Sequence, residues 1–218
     1  MRRIGLLIPK TNLTVEYELQ YLLNKQIIKH EQYSFYIAKL DYKTSYKENK
    51  LQYLKELAED SYQKIIDLQY LNVNYIAFFC TSSAIISDKI TTANNPATSL
   101  IEEAKERKIS KCLLITPYNE ELGKKVKSEL EKNDISVLKN INLNLLNTED
   151  YFDFGINKLK KFIIENYRNS YENIIISCTN IPTIHFINEL EKLLNTQIIS
   201  SNSSLFNKIL RENQAKGI

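Results

Sequence analysis

Apolar residues in this chain follow two alternating patterns. Short, nearly unbroken runs occur at residues 3–8 (RIGLLI), 73–79, 111–116 (KCLLIT) and 173–177, while residues 33–40 alternate and are rich in β-formers. Between them lie segments with helical spacing, as at 51–69, where Leu51, Leu54, Leu57, Ala58, Ile65 and Leu68 share a face. Unbroken apolar runs suit strands buried on both sides of a parallel sheet, and the 3.6-residue spacing suits helices laid over it. The pattern predicts strands at 3–8, 33–40, 73–79, 111–116, 135–138, 173–177 and 197–199. It predicts helices at 14–25, 51–69, 96–107, 120–133, 150–166, 183–194 and 202–212. Residues 87–95 read as irregular and polar. Thr14 is placed to cap the first helix, with Glu16 and Glu18 in its first turn, and Ser201 or Asn202 the last. Pro96 and Pro182 sit where helices should begin. Strands alternating with helices imply an α/β fold with parallel sheets.

The order of elements repeats. A strand ending at Pro9, a turn and a helix precede a strand that ends at Cys80. A strand ending at Pro117, a turn and a helix precede a strand that ends at Cys178. This implies two pseudo-symmetric, Rossmann-like halves facing each other across a cleft. Residues 1–108 make the first half and 109–196 the second. Residues 197–218 are expected to return to the first half, because nothing after Ser83 corresponds to the segment from Gln197 onward. Cys80-Thr81-Ser82 and Cys178-Thr179-Asn180 then both line the cleft, at the strand C-terminal ends where open α/β sheets bind ligands.

Composition narrows the choice of chemistry. With 218 residues, 43% hydrophobic and 25% charged, the chain is ordinary for a globular protein. Its net charge of +3 is spread without a basic block, so no nucleic-acid partner is expected. No apolar run reaches the roughly 18 residues of a membrane span, and residues 1–10 are too short in apolar core for a signal peptide. Three cysteines without a Cys-x-x-Cys argue against a disulfide framework and for a reducing cytoplasm. Four glycines allow no Gly-x-Gly-x-x-Gly or P-loop motif, which disfavours the usual dinucleotide and NTP enzymes. The two histidines, His30 and His185, belong to no metal-ligand cluster, so neither metal nor organic cofactor is expected.

The two thiols carry the candidate chemistry. A thiol between a strand end and a helix start lies near the positive end of the helix dipole, which lowers its pKa from about 8.5 toward neutral. It then serves as a base or a nucleophile. Thr81, Ser82, Thr179 and Asn180 offer hydroxyl, amide and backbone N–H groups for a carboxylate or a developing enolate oxygen. One cysteine at a strand end is ordinarily a small buried hydrophobe; two Cys-Thr pairs at equivalent places in a repeat favour function. Cys112, inside an apolar run, reads as structural, His185 as a packing or surface residue and His30 as a solvated one. Asn12, Tyr118 and Asn119 follow the two strand-Pro elements at the same end of the sheets and serve equally as turn residues or substrate contacts.

With these residues in place, the chain resembles the aspartate/glutamate racemase superfamily, in particular its maleate isomerase and arylmalonate decarboxylase branch. The likeness rests on RIGLLIPKTNLTVE (3–16), FFCTSSA (78–84), LLITPYNEEL (113–122) and ISCTNIPTIHFINELEKLLNTQIISSNSSLF (176–206). It implies two pseudo-symmetric halves, a site between them, no cofactor, and Cys80 and Cys178 as the catalytic pair. It implies that Asn12 and Tyr118 hold a substrate carboxylate and that Thr81, Ser82 and Thr179 line the oxygen pocket. In maleate isomerases the first cysteine is a nucleophile and the second a proton donor; in racemases both act as acid and base. The chain departs from glutamate racemases in having Thr11-Asn12, Cys80-Thr81-Ser82 and Cys178-Thr179-Asn180. Cys80, which the decarboxylases lack, turns the reading away from them. Lys10 is placed to add a charge to the pocket, and Asn147 to match a further substrate-binding Asn. The expectation is a cofactor-independent racemase or isomerase of a small carboxylate, an amino acid or a dicarboxylate. The alternatives are a decarboxylase using Cys178 as proton donor and a non-catalytic carboxylate-binding domain. By analogy with the branch, the chain is expected to form a homodimer.

Overall fold

The computed structural model describes residues 1–87, 94–145 and 147–213. Its first sheet holds β1 (Arg2–Pro9), β2 (Tyr33–Leu40) and β3 (Tyr75–Phe78), all parallel, in the order β2-β1-β3. The second holds β4 (Lys111–Thr116), β5 (Ser136–Asn142), β6 (Asn173–Ile176) and β7 (Gln197–Ser200), parallel in the order β5-β4-β6-β7. The helices are α1 (Thr14–Asn24), α2 (Lys50–Gln69), the single turn and a half of α3 (Thr81–Ile86), α4 (Pro96–Glu106), α5 (Glu120–Glu131), α6 (Thr148–Asp153), α7 (Ile156–Asn166), α8 (Ile187–Leu194) and α9 (Ser201–Glu212). The unbroken apolar runs do lie between two layers. Ile4, Leu6 and Ile8 of β1 pack with α1 and α9 on one face, while Leu7 packs with α2 on the other. No helix among the described residues is long and apolar enough to cross a membrane.

Four local expectations are corrected. The strand at 197–199 does not return to the first half: as β7 it pairs with β6, Ile174 opposite Ile198. Only α9 goes back, packing on β3 and on α4. A counterpart to β7 does exist in the first half. Asn94 bridges Ala77 in parallel register immediately before α4, as β7 precedes α9. The two last helices therefore lie against each other across the pseudo-two-fold axis, tied by Lys208 to Glu102 (2.9 Å) and Asn207 to Glu103 (3.2 Å). The single helix expected at 150–166 is two, α6 and α7, broken at Gly155, whose φ of 78° suits glycine. The helix expected from Thr183 starts only at Ile187, so Pro182 is not at its first turn. The first cap is also different. Asn12 Oδ1 accepts from Thr14 N (2.9 Å) and Val15 N (3.1 Å), so Asn12 caps α1 rather than Thr14. Of the irregular stretch at 87–95, residues 88–93 lie outside the described residues.

One glycine matters for the site. A β-carbon on Gly123 of α5 would stand 1.9 Å from Asn142 Oδ1. That oxygen accepts from Thr116 Oγ1 at 2.8 Å, and Thr116 Oγ1 accepts from Tyr118 N at 3.3 Å, which shapes the turn after β4. Gly123→Ala is expected to displace Asn142, loosen the Tyr118 turn and cost about 1–2 kcal/mol of stability. Thermal denaturation checks this; an unchanged melting temperature would contradict it.

Candidate active site

β3 and β6 end side by side at the junction of the halves, and each passes into a segment that opens with a cysteine. Cys80 is the residue before α3, in extended conformation. Cys178 starts a non-helical stretch that runs to Phe186. The two ends interlock. Thr179 Oγ1 donates to Phe79 O at 2.9 Å, and Thr81 Oγ1 donates to Ser201 Oγ at 2.9 Å. Of the residues singled out in the sequence, eight (Asn12, Cys80, Thr81, Ser82, Tyr118, Cys178, Thr179 and Asn180) line one cavity, joined there by Thr11, Tyr46, Tyr53, Thr148 and Tyr151, while Asn119 caps α5 instead. The cavity is small, about 30 Å³, room for about two waters.

Several of these groups are committed to holding the walls. Asn180 Oδ1 accepts from Leu13 N (2.9 Å), and its Nδ2 donates to Thr148 O (2.7 Å) and Thr11 O (3.4 Å). It thus ties both halves together beside Cys178. Asn180→Ala should strand these backbone groups and cost about 3 kcal/mol; the urea midpoint reads this, and a shift near zero would contradict it. Asn12 Nδ2 donates to Thr179 Oγ1 at 3.3 Å. The hydroxyls of Thr81 and Thr179 are spent on Ser201 and Phe79, which leaves the Ser82 hydroxyl, 3.6 Å from Cys80 Sγ, nearest to the first sulfur. The Tyr118 hydroxyl donates to Cys178 Sγ, as does Asn180 N at 3.3 Å.

Two expected contributors lie elsewhere. Lys10 turns outward to pair with Asp41, its ammonium 4.2 Å from the Tyr42 ring centre, so it adds no charge to the cavity. Asn147 is held by Asp150 at the start of α6 and does not line the cavity. His185 is a packing residue, its ring 4.5 Å from Tyr17 and 4.1 Å from Tyr21. Three tyrosines in the lining escaped sequence reasoning. Tyr151 donates to Tyr46 Oη at 3.0 Å across the halves, and Tyr53 meets Thr11 Oγ1 at 3.2 Å. Among the described residues no Lys, Arg, His, Asp or Glu lines the cavity. Among the described residues no group of three or more His, Cys, Asp or Glu could hold a metal ion.

Burial decides the protonation of this site. Cys80 is pushed above the usual thiol range by desolvation, against the opposing N–H groups of Ser83 and Ser82. Cys178 is pushed up to about 12, first by desolvation, and further by the charge on Cys80 when that thiol ionises. The expected lowering by a helix dipole is thus overturned. α3 has only six residues, Cys178 heads no helix, and neither gives a field that offsets removal from water. Tyr118, Tyr53 and Tyr151 are likewise pushed up by burial and remain protonated donors. The mutual repulsion has a chemical use. Burial favours the protonated form of both thiols, and once Cys80 ionises its charge holds the proton on Cys178 more firmly.

With this geometry in hand, comparison with known proteins is informative. No protein-family model matches the chain. A maleate isomerase of Geobacillus stearothermophilus is 22% identical to it, over 96% of this chain and 90% of that protein. Among solved structures, the maleate isomerase of Pseudomonas putida S16 with maleate superposes with a TM-score of 0.85 at 17% identity, covering 97% of this chain and 91% of that one. The chain has the fold of the maleate isomerases. A Nocardia farcinica maleate cis-trans isomerase carrying a succinylcysteine intermediate superposes at 0.82 and 17% identity, over 96% and 91% of the two chains. Unliganded arylmalonate decarboxylase superposes at 0.73 and 13% identity, over 100% and 94%. The resemblance seen in the sequence motifs therefore holds for the fold over nearly the whole chain, and the two Rossmann-like sheets are those of this branch.

Proposed function

We propose that the protein is a cofactor-independent isomerase of a small carboxylate, with Cys80 and Cys178 as its reacting groups. The observation that carries this is the meeting of the two sulfurs, one from each half, in a single cavity whose described lining holds no charged side chain. The likeness to maleate isomerases, one of which carries a succinylcysteine, supports cis-trans isomerisation of a dicarboxylate such as maleate. Racemisation of an amino acid such as aspartate or glutamate is the other form of the same chemistry.

In the cis-trans form, the Cys80 thiolate adds to one alkene carbon and Cys178 gives its proton to the other. Rotation about the new single bond follows. The Cys178 thiolate then takes a proton back from the carbon it protonated, and the Cys80–carbon bond breaks to release the trans acid. In the racemising form, Cys80 removes the α-proton and Cys178 delivers its own to the opposite face. Both forms begin with Cys80 ionised and Cys178 protonated, and the charge on an ionised Cys80 keeps the proton on Cys178. Neutral donors stabilise the developing oxyanion: Asn12 Nδ2, the Ser82 hydroxyl and backbone N–H groups at the two Cys-Thr turns. A four-carbon dicarboxylate exceeds the free space, so the walls spread on binding. The test is nuclear magnetic resonance of maleate, aspartate and glutamate incubated with the protein in deuterated water. Conversion of maleate to fumarate, or exchange at Cα, supports the reading; inertness of all three contradicts it.

A further inference from the structure

Glu18 of α1 is fully buried, and among the described residues no cation pairs with it. Burying a lone carboxylate is costly, and such a group is ordinarily paired or replaced. Here it is held entirely by neutral donors, from the segment that follows Cys178 and from Asn202 of α9. Its Oε1 accepts from Thr183 N, from Ile184 N at 2.7 Å and from Thr183 Oγ1 at 3.4 Å. Its Oε2 accepts from Asn202 Nδ2 at 2.5 Å, and the same Nδ2 donates to Thr179 O at 3.0 Å. Asn202 Oδ1 is buried with no partner. Glu18 thus anchors the backbone at Thr183 and Ile184, and through Asn202 it pins the peptide after Thr179, next to Cys178.

We propose that Glu18 is a positioning residue for Cys178, its ionised carboxylate anchoring residues 179–184 so that the N–H groups after Cys178 face the sulfur. The Asn180 N–H bonds Cys178 Sγ at 3.3 Å, and the N–H groups of Asn180 and Ile181 both favour its thiolate. Protonation on Oε2 would turn an acceptor into a donor facing Asn202 Nδ2. Asn202 could then accept only by swinging its free Oδ1 round, which takes the donor away from Thr179 O. Desolvation lifts the Glu18 carboxyl to about 7, so this change falls within the working range. The titratable neighbours are few. Tyr17 and Tyr21 on α1 stack on His185 of the 178–186 segment, Cys178 lies beyond Thr179, and the α9 cations Lys208 and Arg211 pair with Glu102, Glu212 and Glu106. Acting only as a nearby negative charge, Glu18 would instead disfavour the Cys178 thiolate, so the two roles have opposite signs.

The proposal rests on the two-thiol reading of the site, but its test needs no turnover. The rate at which iodoacetamide alkylates Cys178 in the full chain is followed against pH by peptide mass spectrometry, with Cys80 as internal reference. Glu18→Gln is expected to slow Cys178 about tenfold at pH 8, the worth of a charge-assisted N–H bond to the thiolate, relative to Cys80. In the wild type, the plot of log rate against pH should be steeper below about pH 7 than above it, and in Glu18→Gln it should keep one slope. An unchanged or faster Cys178 in the variant overturns the proposal. Should the variant not fold, a wild-type plot without a break near pH 7 overturns it by itself. A break with no turnover of any carboxylate would leave the positioning role standing and sink the isomerase; turnover with no break would do the reverse.

Discussion

Replacing either Cys80 or Cys178 by alanine is expected to cut turnover at least about 10³-fold, the range for loss of a nucleophile or a positioned acid. The fold should survive, because each sulfur lines a cavity and its removal adds little unfilled space to a packed core. The two losses should differ in kind. Without Cys80 no covalent or deprotonated intermediate forms. Without Cys178 an adduct on Cys80 can form but is not protonated correctly, so incubation with maleate should accumulate modified protein in Cys178→Ala and none in Cys80→Ala. Intact-mass spectra and fumarate formation check both. Full activity of Cys80→Ala would refute the paired mechanism and favour a decarboxylase in which Cys178 alone delivers a proton.

The second large effect concerns the reactivity of the two thiols. With its pKa near 12, Cys178 at pH 8 holds about 10³ times less thiolate than a thiol at 9, so it should be alkylated slower than free cysteine by a similar factor. Cys80 should be slow as well, but faster than Cys178. Reactivity of both should climb as pH rises through 8 to 10, since the charged form is the one that burial disfavours. Prompt alkylation of either thiol below pH 7 would contradict this account and restore the helix-dipole argument.

Much of this protein could be read from its residues, and the failures share a cause. The runs ending at Cys80 and Cys178 announce strands because nearly every position is apolar, and β3 and β6 are buried on both faces or nearly so. The repeated strand-Pro and Cys-Thr contexts led to residues that line one cavity. What escaped depends on contacts distant in sequence. The anchoring of the segment before α8 depends on Glu18, 165 residues away from Thr183. The placement of β7 follows from pairing with β6, and among the described residues its counterpart is the bridged residue Asn94. Tyr46, Tyr53 and Tyr151 are three among 14 tyrosines and sit in ordinary loop or helix contexts. The thiol pKa values failed because local dipoles can be guessed from neighbours in sequence, whereas desolvation is set by the whole fold.

The most direct measurement asks whether the two sulfurs share one small space. The native protein is treated to completion with iodoacetamide at pH 9, and intact mass and peptide maps count the groups on Cys80 and Cys178 in each molecule. A cavity of about 30 Å³ should accept one such group, on either sulfur, and thereby protect the other. Molecules carrying both groups, formed at independent rates, would mean that the thiols stand in separate environments and that no single ligand lies between them.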